Sequence, residues 1–481
     1  MLRTSCRWAS ASSDPGHDVS TKHQPPPSSS GSDPRPLPRQ ILALAVPALG
    51  ALVAEPAFLM ADTAIIGWLG VTELAGSALG VTVMHTVVGL MIFLAYSTTP
   101  AVARYVGAGK TAKALAAGRD GVWLAVILGA LLAFAGWAFG EEVLQAMGSA
   151  GEVHDHALTY LLWSLPGLPA MLLVFAAVGA LRGFQDTKTP LVVAAAGFGG
   201  NALLNLILVH PVGLGVAGAA IGTSIAQWGM AITYLCILIP RMRAADVPLG
   251  PEPAALRYAA RVGGWMLLRT ATLRIAVVAT VIVATDLGPE TLAAHQVAFT
   301  FFSTLAFALD ALAIAAQALI GRELGAGQAD AVRRMVRTMI WWGLGFGVIV
   351  GALTALAAPW VPHLFTPDDQ VASMITVALF VLAAAQPLAG YVFVLDGVLM
   401  GAGDVRYLAL AGVVNLVIYL PVLWLVHQAA TGQMFTDQQL TGAAVIAWLW
   451  LAFAVAFMGA RALTLGVRSA TGRWMVLGEQ R

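Results

Sequence analysis

From residue 41 onward, polar residues are scarce and collect between long apolar runs instead of alternating with them. A run of about twenty residues rises ~30 Å as a helix, enough to cross a hydrocarbon core. The pattern predicts twelve such spans, at 41–69, 77–103, 121–140, 156–181, 190–209, 214–239, 258–286, 292–321, 336–358, 371–399, 406–427 and 441–465. They are continuously apolar and rich in Leu and Ala, without the period-two alternation of barrel strands. The expected fold is an all-α polytopic membrane protein.

Composition agrees. The 481 residues are 59% hydrophobic and 11% charged, against about 25% charged in a soluble domain. Charge sets an expected orientation. Of the 26 Lys and Arg, 24 fall in the N-terminal tail, the loops after spans 2, 4, 6, 8 and 10 and the C-terminal tail, or within a few residues of them at the bordering span ends. The opposite loops carry acids such as Glu73, Glu141, Asp286 and Asp368. By the positive-inside rule both termini are expected in the cytoplasm, with the chain multi-pass in a cell membrane. Residues 1–40 hold PPPSSSGSDPRPLPR (Pro25 to Arg39) and no apolar run, so they read as a disordered cytoplasmic tail or a start site placed too early; Arg and Ser would suit a transit peptide, but Asp14, Asp18 and Asp33 argue against one. Two cysteines, Cys6 and Cys236, make no disulfide framework.

The chain is written twice. LGVTELAG (Leu69 to Gly76) returns as LGPETLAA (Leu287 to Ala294), 218 residues later. The same offset places RYVGAG (Arg104 to Gly109) on RELGAG (Arg322 to Gly327), and LRGFQD (Leu181 to Asp186) on LMGAGD (Leu399 to Asp404). Each copy holds six spans, an even number, so the copies share one orientation and an axis along the membrane normal. Two six-helix lobes, 41–239 and 258–465, are expected to face each other across a central cleft, with 240–257 as the linker and 466–481 as a C-terminal tail.

These stretches, together with AEPAFLMADTAIIGWLG (Ala54 to Gly70), NALLN in span 5 and LDALAIAAQALIGRELGAG (Leu309 to Gly327), carry a family resemblance. The chain resembles the multidrug and toxic compound extrusion (MATE) family, and its DinF-like branch most. The resemblance covers roughly residues 41–465. It implies a V-shaped twelve-helix exporter that expels amphipathic, often cationic compounds against an inward flow of protons or Na⁺. It singles out Asp62 as the carboxylate whose protonation is coupled to substrate release.

Setting aside the charges at span ends that border the loops and tails, the candidates inside the predicted spans are Glu55, Asp62, Arg269, Arg274, Asp310 and Asp396. Each costs roughly 2.5–3.5 kcal/mol at the bilayer centre, so each needs a partner, a wet cavity or a function. Glu55 and Asp62 are seven residues apart and share one face of span 1, expected to line the cleft. Buried carboxylates take up protons near neutral pH; the plainer readings are a helix brace for Asp62 and a static ion pair for Glu55. Asn201 and Asn205, at i and i+4, also share a face. Where many relatives of the resembled family have an aspartate, this chain has Asn205, which removes one titrating group and favours protons over Na⁺.

Arg269 and Asp310 stand at similar depth in neighbouring spans and are expected to form a buried ion pair. Arg274 is the candidate partner of Glu55 across the cleft. Asp396, near a span end, is expected to brace the helix or pair with loop arginines. Gln227, Gln296 and Gln317 offer neutral polar contacts to substrate or between helices. Met60, Met84, Met171 and Met266 are either adaptable lining or core.

No GxxxxGK[ST], HExxH or CxxC motif is present, so neither nucleotide hydrolysis nor a resident metal or cofactor is expected. The sequence therefore points to a non-enzymatic secondary antiporter working as a monomer, with a small amphipathic substrate and the bilayer as its partners and no nucleic acid. The alternatives are a Na⁺-coupled exporter, a lipid-linked precursor flippase, which would need a large cationic cavity, and a non-transporting scaffold.

Overall fold

Twelve long helices carry the described residues. They are α1 (Leu37–Gly67), α2 (Val71–Gly107), α3 (Thr111–Ala146), α4 (Gly151–Gly183), α5 (Lys188–Val209), α6 (Gly215–Ala244), α7 (Pro253–Asp286), α8 (Pro289–Gly325), α9 (Ala329–Ala357), α10 (Asp369–Gly401), α11 (Val405–Ala430) and α12 (Ala443–Thr471). The computed structural model describes residues 36–432 and 442–478, so most of the tail expected at 1–40 lies outside the described residues. All twelve helices are long and apolar enough to cross a membrane, and no strand occurs among the described residues. Large apolar side chains such as Phe134, Trp137, Ile282, Trp341 and Val417 are exposed on them. Water would not tolerate so much exposed apolar surface, whereas lipid matches it.

Several helices outrun the apolar windows that announced them. α3 was expected over 121–140 and runs from Thr111 to Ala146, and α8 extends beyond 292–321 at both ends. Hydropathy marks only the part in hydrocarbon, while the backbone ladder continues until a stop signal. Those stops are repeated. Gly109 (φ 71°), Gln185 (φ 63°), Gly327 (φ 75°) and Gly403 (φ 73°) each take the left-handed conformation just past a helix end. At each, the next residue's N–H closes back five residues: Lys110 to the Tyr105 carbonyl at 2.9 Å, Asp186 to Leu181 at 2.9 Å, Gln328 to Glu323 at 3.0 Å and Asp404 to Leu399 at 3.1 Å. These are Schellman caps on α2, α4, α8 and α10, and they pair at the 218-residue offset. Gln185 holds a conformation that favours glycine. Its side chain is fixed by Arg322, whose Nη1 donates to Gln185 Oε1 at 2.7 Å.

The same repeated motif joins the halves. A Cβ on Gly107 would strike the carbonyl oxygen of Arg322, and one on Gly325 would strike that of Arg104. Arg104 and Gly107 correspond to Arg322 and Gly325 in the repeat, so the ends of α2 and α8 cross symmetrically and only glycine lets their backbones touch. Above this crossing, Ala48, Leu49 and Leu52 of α1 pack on Ala311 and Ile314 of α8. Below it, Arg104 Nη2 donates to the Ala402 carbonyl at 2.6 Å and Nη1 to those of Val476 and Gly478 at 2.8 and 3.2 Å. The segment expected as the C-terminal tail begins as the end of α12 and then docks under the crossing, with Trp474 buried. This closed end is the one that carries the basic loops.

Candidate functional site

A cavity of about 170 Å³ opens within the first six helices, lined by residues between Ala51 and Tyr234. Every lining residue belongs to α1–α6, so this cavity lies within the first half. The crossing just described and the α1–α8 contact bring the two halves together beside it. A wider pocket of about 400 Å³ lies between the halves beside the linker, lined by Ala101, Tyr105 and Asp120 of α2 and α3 and by Tyr258, Val262 and Val405 of α7 and α11. It holds none of the site residues expected from the sequence.

Asp62 stands on the cavity wall, 4% exposed. Its Oδ1 accepts a hydrogen bond from Asn205 Nδ2 at 2.6 Å, and no basic side chain among the described residues pairs with it. α5 and α6 are responsible for aiming that amide. They approach closely at Gly218 and Gly222, and a Cβ on Gly222 would strike Asn205 Oδ1. Asn201, one turn earlier, is fully buried with its amide 3.4 Å from Thr223 Oγ1. The two asparagines therefore stand behind the wall, and Asn205 reaches the cavity through Asp62. Gln227 lines the cavity directly, as do Met84 and Met171. Phe58 and Phe198 stack across it, with ring centroids 5.3 Å apart.

Other expected residues fall elsewhere. Gln296 and Arg274 are exposed and line none of the described pockets. Arg274 lies over α2 at Gly89. Glu55 lies in α1, but its side chain is outside the described residues, and with it the pairing expected with Arg274. Met60 is exposed and Met266 sits in the core, so neither contributes to the lining; Gln317 is buried against Met400.

The expected pair of Arg269 with Asp310 is replaced by a larger arrangement. Arg269 donates through both Nε and Nη2 to the two oxygens of Asp396, a bidentate pair. Arg461 adds a hydrogen bond to Asp396 Oδ2 at 3.2 Å and lies over Phe393 and Phe457. Asp310 instead accepts from the Tyr96 hydroxyl of α2 at 2.9 Å, linking the halves. Equal depth was a sound criterion, but α7 turns Arg269 towards α10 and α12. Arg182 and Arg461 escaped the sequence reading because each closes an apolar run and was counted with a loop or tail. The signal for Arg182 was present in LRGFQD, read as a helix-end motif only.

A buried carboxylate and a polar glutamine in an apolar, aromatic and Met-lined cavity inside a polytopic helical bundle define a membrane transporter of small molecules. A family model, MatE, matches residues 47–207 and 267–425. The chain belongs to the MatE family, and is therefore a multi-pass membrane transporter and not an enzyme. One matched segment falls in each copy of the repeat. It is 30% identical over 397 residues to Protein DETOXIFICATION 44, chloroplastic, of Arabidopsis thaliana, covering 78% of this chain and 74% of that protein. Protein DETOXIFICATION 45, chloroplastic, of the same plant is 26% identical over 400 residues, 78% and 71% of the two chains. Among solved structures, the Vibrio cholerae MATE transporter VcmN in the bent form superposes with a TM-score of 0.79 at 21% identity, over 91% of this chain and 98% of that one. A MOP superfamily transporter from Pyrococcus furiosus gives 0.80 at 21%, over 91% and 96%. At these identities the structures speak for the fold alone.

Proposed function

We propose that this MatE-family transporter is a secondary antiporter that exports amphipathic organic compounds in exchange for protons, with Asp62 carrying the proton. The observation that carries the reading is Asp62 itself: a buried carboxylate at the wall of the cavity, held by one neutral amide and by no cation among the described residues. A charge in that setting is relieved by taking up a proton. The neutral form no longer attracts a polar or cationic part of the substrate, which ties release to protonation. Asn205 stands beside it as an amide, leaving one titrating group where a Na⁺ site would want two. Glu55, seven residues earlier in α1, is the second candidate for the coupling. Motifs at Arg104 to Gly109, Leu181 to Asp186 and Leu309 to Gly327 support a place in the DinF-like branch, and the charge asymmetry supports cytoplasmic termini in a cell membrane. Function as a monomer is supported by a cavity that the helices of one chain line throughout.

The test is export by reconstituted protein in vesicles with an imposed pH gradient and no Na⁺. Wild type is expected to move an amphipathic dye against its gradient, and Asp62→Asn to lose at least tenfold while remaining folded. Full activity in that variant, or strict dependence on Na⁺, refutes the mechanism.

A further inference from the structure

Arg182, near the C-terminal end of α4, is 8% exposed and forms part of the cavity wall. It stands at one end of a buried series of charges. Its guanidinium interacts electrostatically with Asp310 and Tyr96; Asp310 also interacts with Arg269; Arg269 pairs with Asp396, and Asp396 with Arg461. Three guanidiniums thus share two carboxylates, and the positive charge in excess is delivered to the one member that faces a cavity.

The donors are likewise unevenly used. Asp396 receives hydrogen bonds from both Arg269 and Arg461, and Asp310 receives one from Tyr96. The Arg182 guanidinium donates none to any described residue, although it carries five N–H groups in a planar fork that matches a carboxylate. Those donors open on the cavity, where a ligand can take them up. α1 and α4 run antiparallel, so Asp62, five residues before the end of α1, and Arg182, one residue before the end of α4, lie towards opposite ends of the bundle. Between them the wall is apolar, with Met84, Met171, Met230 and the Phe58–Phe198 stack.

We propose that Arg182 seats an anionic group, a carboxylate or its equivalent, on the compounds this cavity takes, with their apolar body lying along the Met and Phe wall towards Asp62. The proposal rests on reading this cavity as the transport site, and it names the substrate class: amphipathic compounds that carry an anion. The seat and the proton carrier are separate groups, so the anion does not compete with the proton for one residue.

The test is equilibrium dialysis of the detergent-purified full chain against 2-naphthoate and its neutral isostere 2-naphthamide. Wild type is expected to bind the naphthoate at least tenfold more tightly. Arg182→Gln should remove that preference while leaving naphthamide binding within about twofold, and Arg182→Lys, which keeps the charge but not the fork, should retain part of it. Thermal unfolding of each variant separates loss of the seat from loss of the fold. Equal binding of the two compounds to wild type, no detectable binding of the naphthoate, or an undiminished preference in folded Arg182→Gln overturns the proposal. Failure of the preference with proton-driven export intact refutes only the role of Arg182. Failure of proton-driven export in wild type refutes the antiport mechanism and leaves the dialysis result standing.

Discussion

Asn205 donates its amide to the Asp62 carboxylate at 2.6 Å, across the contact between α5 and α1. A hydrogen bond to a buried charged group is worth about 1.5–3 kcal/mol, and losing the donor exposes the carboxylate to its full desolvation cost. Asn205→Leu should therefore lower thermal stability in detergent, more at pH 9 than at pH 5, because the cost falls on charged Asp62 and disappears when it is protonated. Gly222→Ala is expected to act in the same direction by displacing the amide from behind. Equal losses at both pH values would show that the bond matters for packing alone.

Asp396 is held by Arg269 and Arg461 together. Removing one partner of a buried ionic group costs about 3–5 kcal/mol because the remaining charge has no compensation. Asp396→Asn strands two guanidiniums and should destabilise more than Arg461→Gln, which leaves the bidentate Arg269 pair in place. Thermal unfolding of the purified variants ranks them; the reverse order would refute the assignment of Arg269 as the principal partner.

Gly107 and Gly325 occupy equivalent places in the crossing of α2 and α8, each against the other helix's backbone. Alanine at either has nowhere to put its methyl group without separating the helices, since the obstructing atoms are carbonyl oxygens. Both Gly107→Ala and Gly325→Ala are expected to reduce vesicle transport at least tenfold, and by similar factors. A variant with wild-type transport would show that the crossing relaxes freely.

The linker is tied to α3. Arg119 Nη1 donates to the Pro248 carbonyl at 2.8 Å and Nη2 approaches Glu252 at 3.4 Å, while Trp123 Nε1 donates to the Leu249 carbonyl at 2.8 Å. Arg119→Gln should free this segment and raise the rate of cleavage at the Ala245–Asp246 bond, by a protease that cuts before aspartate, several-fold. Cleavage in inside-out vesicles and protection in right-side-out ones is expected if the basic end faces the cytoplasm. The opposite sidedness would invert the orientation drawn from charge.

Much of the architecture was legible because membrane insertion is governed by local rules. Apolar length decides whether a segment can span, and the repeat at a fixed offset shows in the sequence because each copy keeps the same caps and the same glycines. The site was partly legible for the same reason: the seven-residue spacing of Glu55 and Asp62 and the four-residue spacing of Asn201 and Asn205 fix faces within single helices. Partners were legible only where one helix determined them. Arg269 was assigned to Asp310 on depth, yet depth does not fix the rotation of α7 about its axis, and that rotation carries Arg269 to Asp396 instead.

By itself the sequence determined twelve helices, their twofold repetition, their alternating direction and the placing of carboxylates inside apolar segments, all consequences of solvation and periodicity along the chain. The tertiary structure alone decided that the cavity lies within the first six helices, that Asn205 meets Asp62, that Arg182 faces the cavity, and that glycines close the halves at the basic end. Those outcomes depend on how helices rotate and cross against one another, and the packing that sets rotation and crossing is shared among many residues distant in sequence.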